Sequence, residues 1–177
     1  MAFLAIVGVS IAAAVLYGIA HDQVTARLSM EYFSIGHPTI PGLDYSNPTL
    51  VALVWGTIAT WWVGLALGIL LAIAARAGSR PPVGVGSVLR PIGWLLVAMA
   101  GCSVLGGLAA HGLAVAGAIW LVPPFAEQVQ DPIMFLAVGG AHLAAYAAGG
   151  IGGLIIAVRV WRSRAVHATA NPERPAA

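Results

Sequence analysis

Residues 49–75 read TLVALVWGTIATWWVGLALGILLAIAA, a run without a single ionisable side chain. A bilayer core about 30 Å thick is crossed by about 20 apolar residues at about 1.5 Å each. The run is therefore long enough to span a membrane, and its surplus must tilt, bend or project. Three further blocks of the same kind can be drawn on either side, at 2–20, 91–122 and 132–160. The first is just long enough to cross, and the other two exceed the need. Gly106-Gly107 is the expected bend in the third, because paired glycines weaken a helix locally. Composition agrees: 60% of residues are hydrophobic, 8% are charged and the mean hydropathy is +0.92, against about half and about a quarter in soluble domains. The predicted fold is all-α, a polytopic four-transmembrane-helix bundle over residues 1–162, with the lipid bilayer as its first partner. The polar, Pro/Ala-rich residues 163–177 are expected to form a disordered cytoplasmic tail.

Local signals set the boundaries. Pro123-Pro124 closes the third block, and Asp131-Pro132 is a helix-start pair with proline at the first helical position. The segment GSRPPVGVGS (78–87) should be irregular. Arg76, Arg80 and Arg90 lie between blocks two and three, and Arg159, Arg162 and Arg164 at and after the end of block four. The positive-inside rule makes both regions cytoplasmic. Both termini are then inside, while 21–48 and 123–131 face outward. The second outer loop agrees, holding Glu127 and Asp131 and no base. Block one lacks a basic leading region, which argues against a cleaved signal peptide. Were cleavage to follow Gly18-Ile19-Ala20, His21 would become an N-terminal residue whose amine and imidazole chelate copper(II).

Trp94, Trp120 and Trp161 sit near helix ends, as interfacial anchors do, whereas Trp55, Trp61 and Trp62 are read as packing residues. Gly64-x-x-x-Gly68 and Gly149-x-x-x-Gly153 offer small faces for close helix approach. Cys102 is the only cysteine and reads as a small core residue. All eight bases are arginine. They cluster at helix ends without interleaved aromatics, so no nucleic-acid surface is expected. Phosphate-binding, serine-hydrolase and H-E-x-x-H motifs are absent, and Ser10 and Ser103 have no evident base partner. Neither a conventional hydrolase nor a nucleotide-driven pump is expected.

Chemistry concentrates in residues 21–38, HDQVTARLSMEYFSIGHP. Ionisable residues are expensive in and near lipid and tend to be functional there. If helix one continues outward, His21, Thr25 and Tyr32 fall near one face, and Arg27 and Glu31 form an i,i+4 pair. Arg27, the one outer arginine, should pair with Glu31 or Asp22. Gly36 and the His37-Pro38 step end the helix. The outer polar cluster is then His21, Asp22, Arg27, Glu31 and His37. Two more histidines lie inside the bilayer. His111 on helix three and His142 on helix four each sit about ten residues, or about 15 Å, below the outer boundary. They could face one another, with Tyr146 one turn below His142. His111 and His142 are accordingly candidate ligands for a transition metal or for haem. With His21 they are candidate proton carriers, and in the plainest case they form hydrogen bonds between helices.

The pattern HDQVTxR followed by EYFxxGHP resembles an uncharacterised family of bacterial multi-pass integral membrane proteins. The resemblance covers about a tenth of the chain. It implies a bacterial integral membrane protein and lends weight to the cluster acting as a unit, without supplying a role, substrate or cofactor; the expected location is the bacterial inner membrane. Three functions follow as expectations. The first is a small non-enzymatic membrane protein that binds or passes an ion or proton through the outer cluster. The second is a metal- or haem-binding redox subunit using His111 and His142. The third is a structural or assembly subunit, in a homo-oligomer or a membrane complex, whose histidines only pack.

Overall fold

The computed structural model describes residues 1–170. Its elements are all helical among the described residues: α1 (Ala2–Leu28), α2 (Met30–Ser34), α3 (Pro48–Ile58), α4 (Trp61–Arg76), α5 (Gly86–Val115), α6 (Phe125–Gln128) and α7 (Pro132–Ala170). Four stretches are long and apolar enough to cross a membrane: Ala2–Leu28, Pro48–Arg76, Gly86–Val115 and Pro132–Arg164. Their length and composition are those of a multi-pass helical membrane protein. Helix α7 runs past Ser163, where the sequence places the start of a tail, and residues 171–177 of that tail lie outside the described residues.

Helix ends follow their local chemistry. Asn47 Oδ1 accepts the backbone N–H groups of Thr49 and Leu50, both at 3.1 Å, and Pro48 opens α3. Asp131 Oδ1 accepts the N–H of Met134 at 3.0 Å ahead of Pro132. Both caps satisfy donors that a helix start leaves free. Helix α5 departs from its expected limits. It begins before Pro91 and ends at Val115 rather than Val122, because Gly117 adopts φ +69. Ala118 N then reaches Leu113 O at 2.8 Å and Gly117 N reaches Ala114 O at 3.0 Å, the paired bonds of a Schellman cap. The second span is interrupted at Ala59-Thr60, where α3 gives way to α4.

Two pairings build the bundle. Helix α1 packs on α3 and α4, α5 packs on α7, and α4–α7 contact joins the halves. Small residues set the spacing. A Cβ on Gly64 would lie 2.7 Å from Ile11 Cα and 2.8 Å from Ser10 O, so α4 meets α1 backbone to backbone. Gly106 and Gly140 stand in the same relation between α5 and α7, each Cβ falling 2.8 Å from the other's carbonyl oxygen. Helix α5 is continuous through Gly106-Gly107, and the pair serves helix contact there. Gly149 and Gly153 instead make room for the side chains of Met99 and Leu67. Trp55 is buried, whereas Trp61 and Trp62 are exposed along with Trp94, Trp120 and Trp161. Cys102 is exposed too, correcting its expected place in the core.

The two ends of the bundle differ. At the arginine end, Ile6, Val7, Leu71, Ala75, Val88, Ile92 and Ile156 belong to one apolar cluster. Below it Arg164 is buried, and its guanidinium donates to the carbonyls of Ala74 (2.6 Å), Ala77 (3.0 Å), Arg80 (2.6 Å) and Pro81 (2.9 Å). It thereby caps α4 and holds the following loop. Arg80 adds a bond to Trp161 O at 2.9 Å and lies 3.7 Å over that indole. At the other end, the histidine end, a smaller cluster of Ala26, Phe33, Val51 and Trp55 supports the polar residues.

Candidate functional site

Consecutive positions on α1 supply His21 and Asp22, and α7 supplies His142. His142 Nε2 lies 3.2 Å from Asp22 Oδ1, and the rings of His21 and His142 meet edge to face at 4.4 Å. One donor atom from each of the three residues lies within 4.8 Å of the other two. Asp22 is almost wholly enclosed, at 5% exposure, and Thr25 Oγ1 contacts its Oδ1 at 3.5 Å.

The outer nitrogens of both imidazoles are engaged elsewhere. His142 Nδ1 lies 2.9 Å from Val138 O. A carbonyl only accepts, so Nδ1 carries the hydrogen and donates. Nε2 of a neutral His142 is then an acceptor facing a carboxylate, and the contact closes only if one proton is shared between them. His21 Nδ1 lies 3.3 Å from Ser103 Oγ on α5, while its Nε2 is buried without a partner. An imidazole held through Nδ1 with Nε2 presented inward is the usual arrangement around a metal ion.

The chain reverses over this group. Ser29 is extended, at φ −149, so α1 stops and α2 sets off in a new direction. Tyr32 and Phe33 thereby reach His142, with ring centroids 4.6 and 5.8 Å away. Burial pushes the Tyr32 phenol up to about 12, helped by Tyr146 and the Asp22 carboxylate, so it remains a hydrogen-bond donor at neutral pH. Glu31 fixes the reversal, its carboxylate accepting Gln130 N at 2.8 Å and Asp131 N at 3.1 Å just ahead of α7.

The expected residues are thus divided. His21, Asp22 and His142 come together. His37 sits one layer away, donating from Nδ1 to Tyr32 O at 2.9 Å with its ring 4.7 Å from that of Trp55. The Arg27–Glu31 pair is not formed, because the break at Ser29 separates the two residues. Arg27 instead bonds Gln23 Oε1 and Thr49 Oγ1, both at 2.7 Å, tying α1 to the start of α3. Nor does it pair with Asp22. His111 is exposed and lines a separate groove between α1, α5 and α7, so the expected His111–His142 pairing gives way to His21–His142. Tyr146 reaches across to Ala59 O at 3.3 Å, at the break between α3 and α4. Ser103, which the sequence left without a base partner, has one in His21.

No family model, curated protein or solved structure matches the chain. The functional reading therefore stands on the chemistry of the site.

Proposed function

We propose that this protein binds a divalent first-row transition metal ion through His21 Nε2, His142 Nε2 and one oxygen of Asp22. The observation that carries the reading is that one ligand atom each from His21, Asp22 and His142 lies within 4.8 Å of the other two, while both Nδ1 positions are occupied by neighbours and His21 Nε2 is buried without a partner among the described residues. Bond lengths of about 2.0–2.1 Å put two ligand atoms on one ion about 3 to 4 Å apart. The Asp22–His142 separation of 3.2 Å already meets that, and the 4.8 Å span of the set closes with a shift of about 1–1.5 Å. Two imidazoles and one carboxylate suit zinc, iron and their neighbours and leave positions open for a further ligand. His142 abuts His21 edge to face at 4.4 Å, a spacing that leaves no room between those rings for a haem. Binding is favoured over passage because the arginine end is filled by an apolar cluster.

The arginine distribution supports a histidine end facing outward with both termini cytoplasmic, and the sequence resemblance supports a bacterial integral membrane protein, for which we take the inner membrane. In that setting the site lies in the outer half of the bundle, under the lid formed by α2. The test is metal analysis of detergent-purified protein bearing no histidine tag, followed by titration of stripped protein with Zn²⁺ or Co²⁺. One ion per chain is expected in wild type and in His111→Ala, and none in His21→Ala or His142→Ala. Metal ligands must be deprotonated to bind, so acid should release the ion. Stripped protein that takes up neither metal in stoichiometric amount overturns the reading. A second reading, a proton held and released at this end, draws on the same shared-proton contact. Metal-free protein that still releases one proton per chain would favour it.

A further inference from the structure

A cavity of about 130 Å³ begins beside the His21–Asp22–His142 group and runs between the two halves of the bundle. Its α1 wall extends from His21 to Ser10, about 17 Å at 1.5 Å per residue. Its ends differ in chemistry. Tyr17, His21, Tyr32, His37 and Trp55 line the histidine end. Three buried polar atoms there, Tyr17 Oη, His21 Nε2 and Trp55 Nε1, have no partner among the described residues. The other arm is walled by Leu67, Leu71, Ile92, Leu95 and Met99. Leu71 and Ile92 belong to the apolar cluster beyond, so the cavity ends blind.

Folded proteins leave few buried polar atoms unpaired, and three around one end of one cavity point to a polar group that belongs there. Water could answer the polar end but not the apolar arm, because an apolar cavity of about 150 Å³ stays dry and admits hydrocarbon. The volume spread over this length accommodates one slender chain. We infer that the cavity holds a single hydrocarbon chain bearing a neutral hydroxyl or carbonyl head, the head beside Tyr17, His21 and Trp55 and the chain toward Leu71. Trp55 Nε1–H donates and the Tyr17 hydroxyl donates or accepts, while His21 Nε2 is left to the proposed metal ion. An anionic head is disfavoured by the buried Asp22 carboxylate. The inference rests on the same histidine cluster as the proposed metal site, though not on the ion being bound. A long-chain alcohol and a prenyl quinone share this chemistry.

The experiment is photolabelling of delipidated, detergent-purified protein with a long-chain alcohol carrying a mid-chain diazirine. Label is expected on Leu67, Leu71, Leu95 and Met99, with displacement by unlabelled alcohol or by prenyl quinone; whichever acts at lower concentration identifies the source. Ala14→Phe fills the arm and should abolish that label. Tyr17→Phe preserves the volume and should raise the displacing concentration about ten-fold, the worth of one buried hydrogen bond. Label confined to lipid-facing positions such as Val97 and Leu105, which are 61% and 68% exposed, overturns the inference. So does cavity label indifferent to competitor and to Tyr17→Phe. Metal content measured on the same sample separates the two readings. Stripped protein that labels in the cavity but takes up no metal overturns the metal site alone, and metal-loaded protein without cavity label overturns the ligand alone.

Discussion

Replacing Asp22 by asparagine should separate the stability of the bundle from the chemistry of its site. The carboxylate is 5% exposed, and the same oxygen contacts His142 Nε2 at 3.2 Å and Thr25 Oγ1 at 3.5 Å. Asparagine has the same shape. Its amide nitrogen, placed where Oδ1 now lies, donates to the unprotonated Nε2 that Val138 enforces on His142. The long Thr25 contact is lost, but Thr25 keeps its bond to His21 O at 3.2 Å. No buried polar atom is orphaned and a buried charge disappears. Exchanging an enclosed ion pair for neutral groups is commonly neutral or stabilising by about 1–4 kcal/mol. Thermal unfolding in detergent should therefore show an unchanged or higher midpoint. Metal affinity should fall by at least about 100-fold, or about 2.7 kcal/mol, through loss of the only anionic ligand. Asp22→Ala, by contrast, leaves His142 Nε2 unpaired and should cost about 1–3 kcal/mol of stability. An Asp22→Asn protein that unfolds more readily than wild type yet binds zinc equally well would refute both halves of this reasoning.

Two further predictions concern the frame that holds the site. Arg164→Met removes all four carbonyl bonds at the end of α4 and should cost about 3 kcal/mol, less than the sum of separate charged bonds because water reaches some of the freed carbonyls. Protease sensitivity between Ala77 and Val85 should rise with it, and Arg164→Lys should restore only part, since an ammonium lacks the planar fork; unchanged proteolysis would count against the clamp. Gly64→Val drives a side chain into the α1 backbone and should lower stability by about 3 kcal/mol or more, whereas Gly101→Ala, with open space around it, should be neutral or slightly stabilising. Equal midpoints for these two variants would contradict the close α1–α4 approach.

The four spans were legible because their signal is bulk hydropathy, which needs no knowledge of neighbours. Asn47-Pro48 and Asp131-Pro132 carry their own capping chemistry in sequence, and the Asp131 start was read directly. The end of α5 was misplaced because the residues after Gly117 are as apolar as those before it; only the left-handed turn at that glycine stops the helix. Within the site, depth was readable and direction was not. Counting residues along a helix gives height at about 1.5 Å per step, and this set His111 level with His142. Each step also rotates the side chain by about 100°. Helix α5 meets α7 through Gly106 and Ala110, so His111, the next residue, is turned away while Ser103 faces inward. The small-residue spacing from Gly106 to Ala110 was the signal that would have fixed this face. The Arg27–Glu31 expectation failed for a similar reason, since an i,i+4 pair presumes an unbroken helix and Ser29 breaks it.

The origin of the three converging residues has a consequence for how the protein is made. His21 and Asp22 lie on α1 and His142 on α7, with Asp22 and His142 120 positions apart in sequence. Until α7 has been made, Asp22 has no imidazole opposite it. Arrival of α7 ends that interval. A chain stalled or truncated before His142 has every residue of the outer segment and still lacks the set, so occupancy of the site would report that α7 had been made and docked.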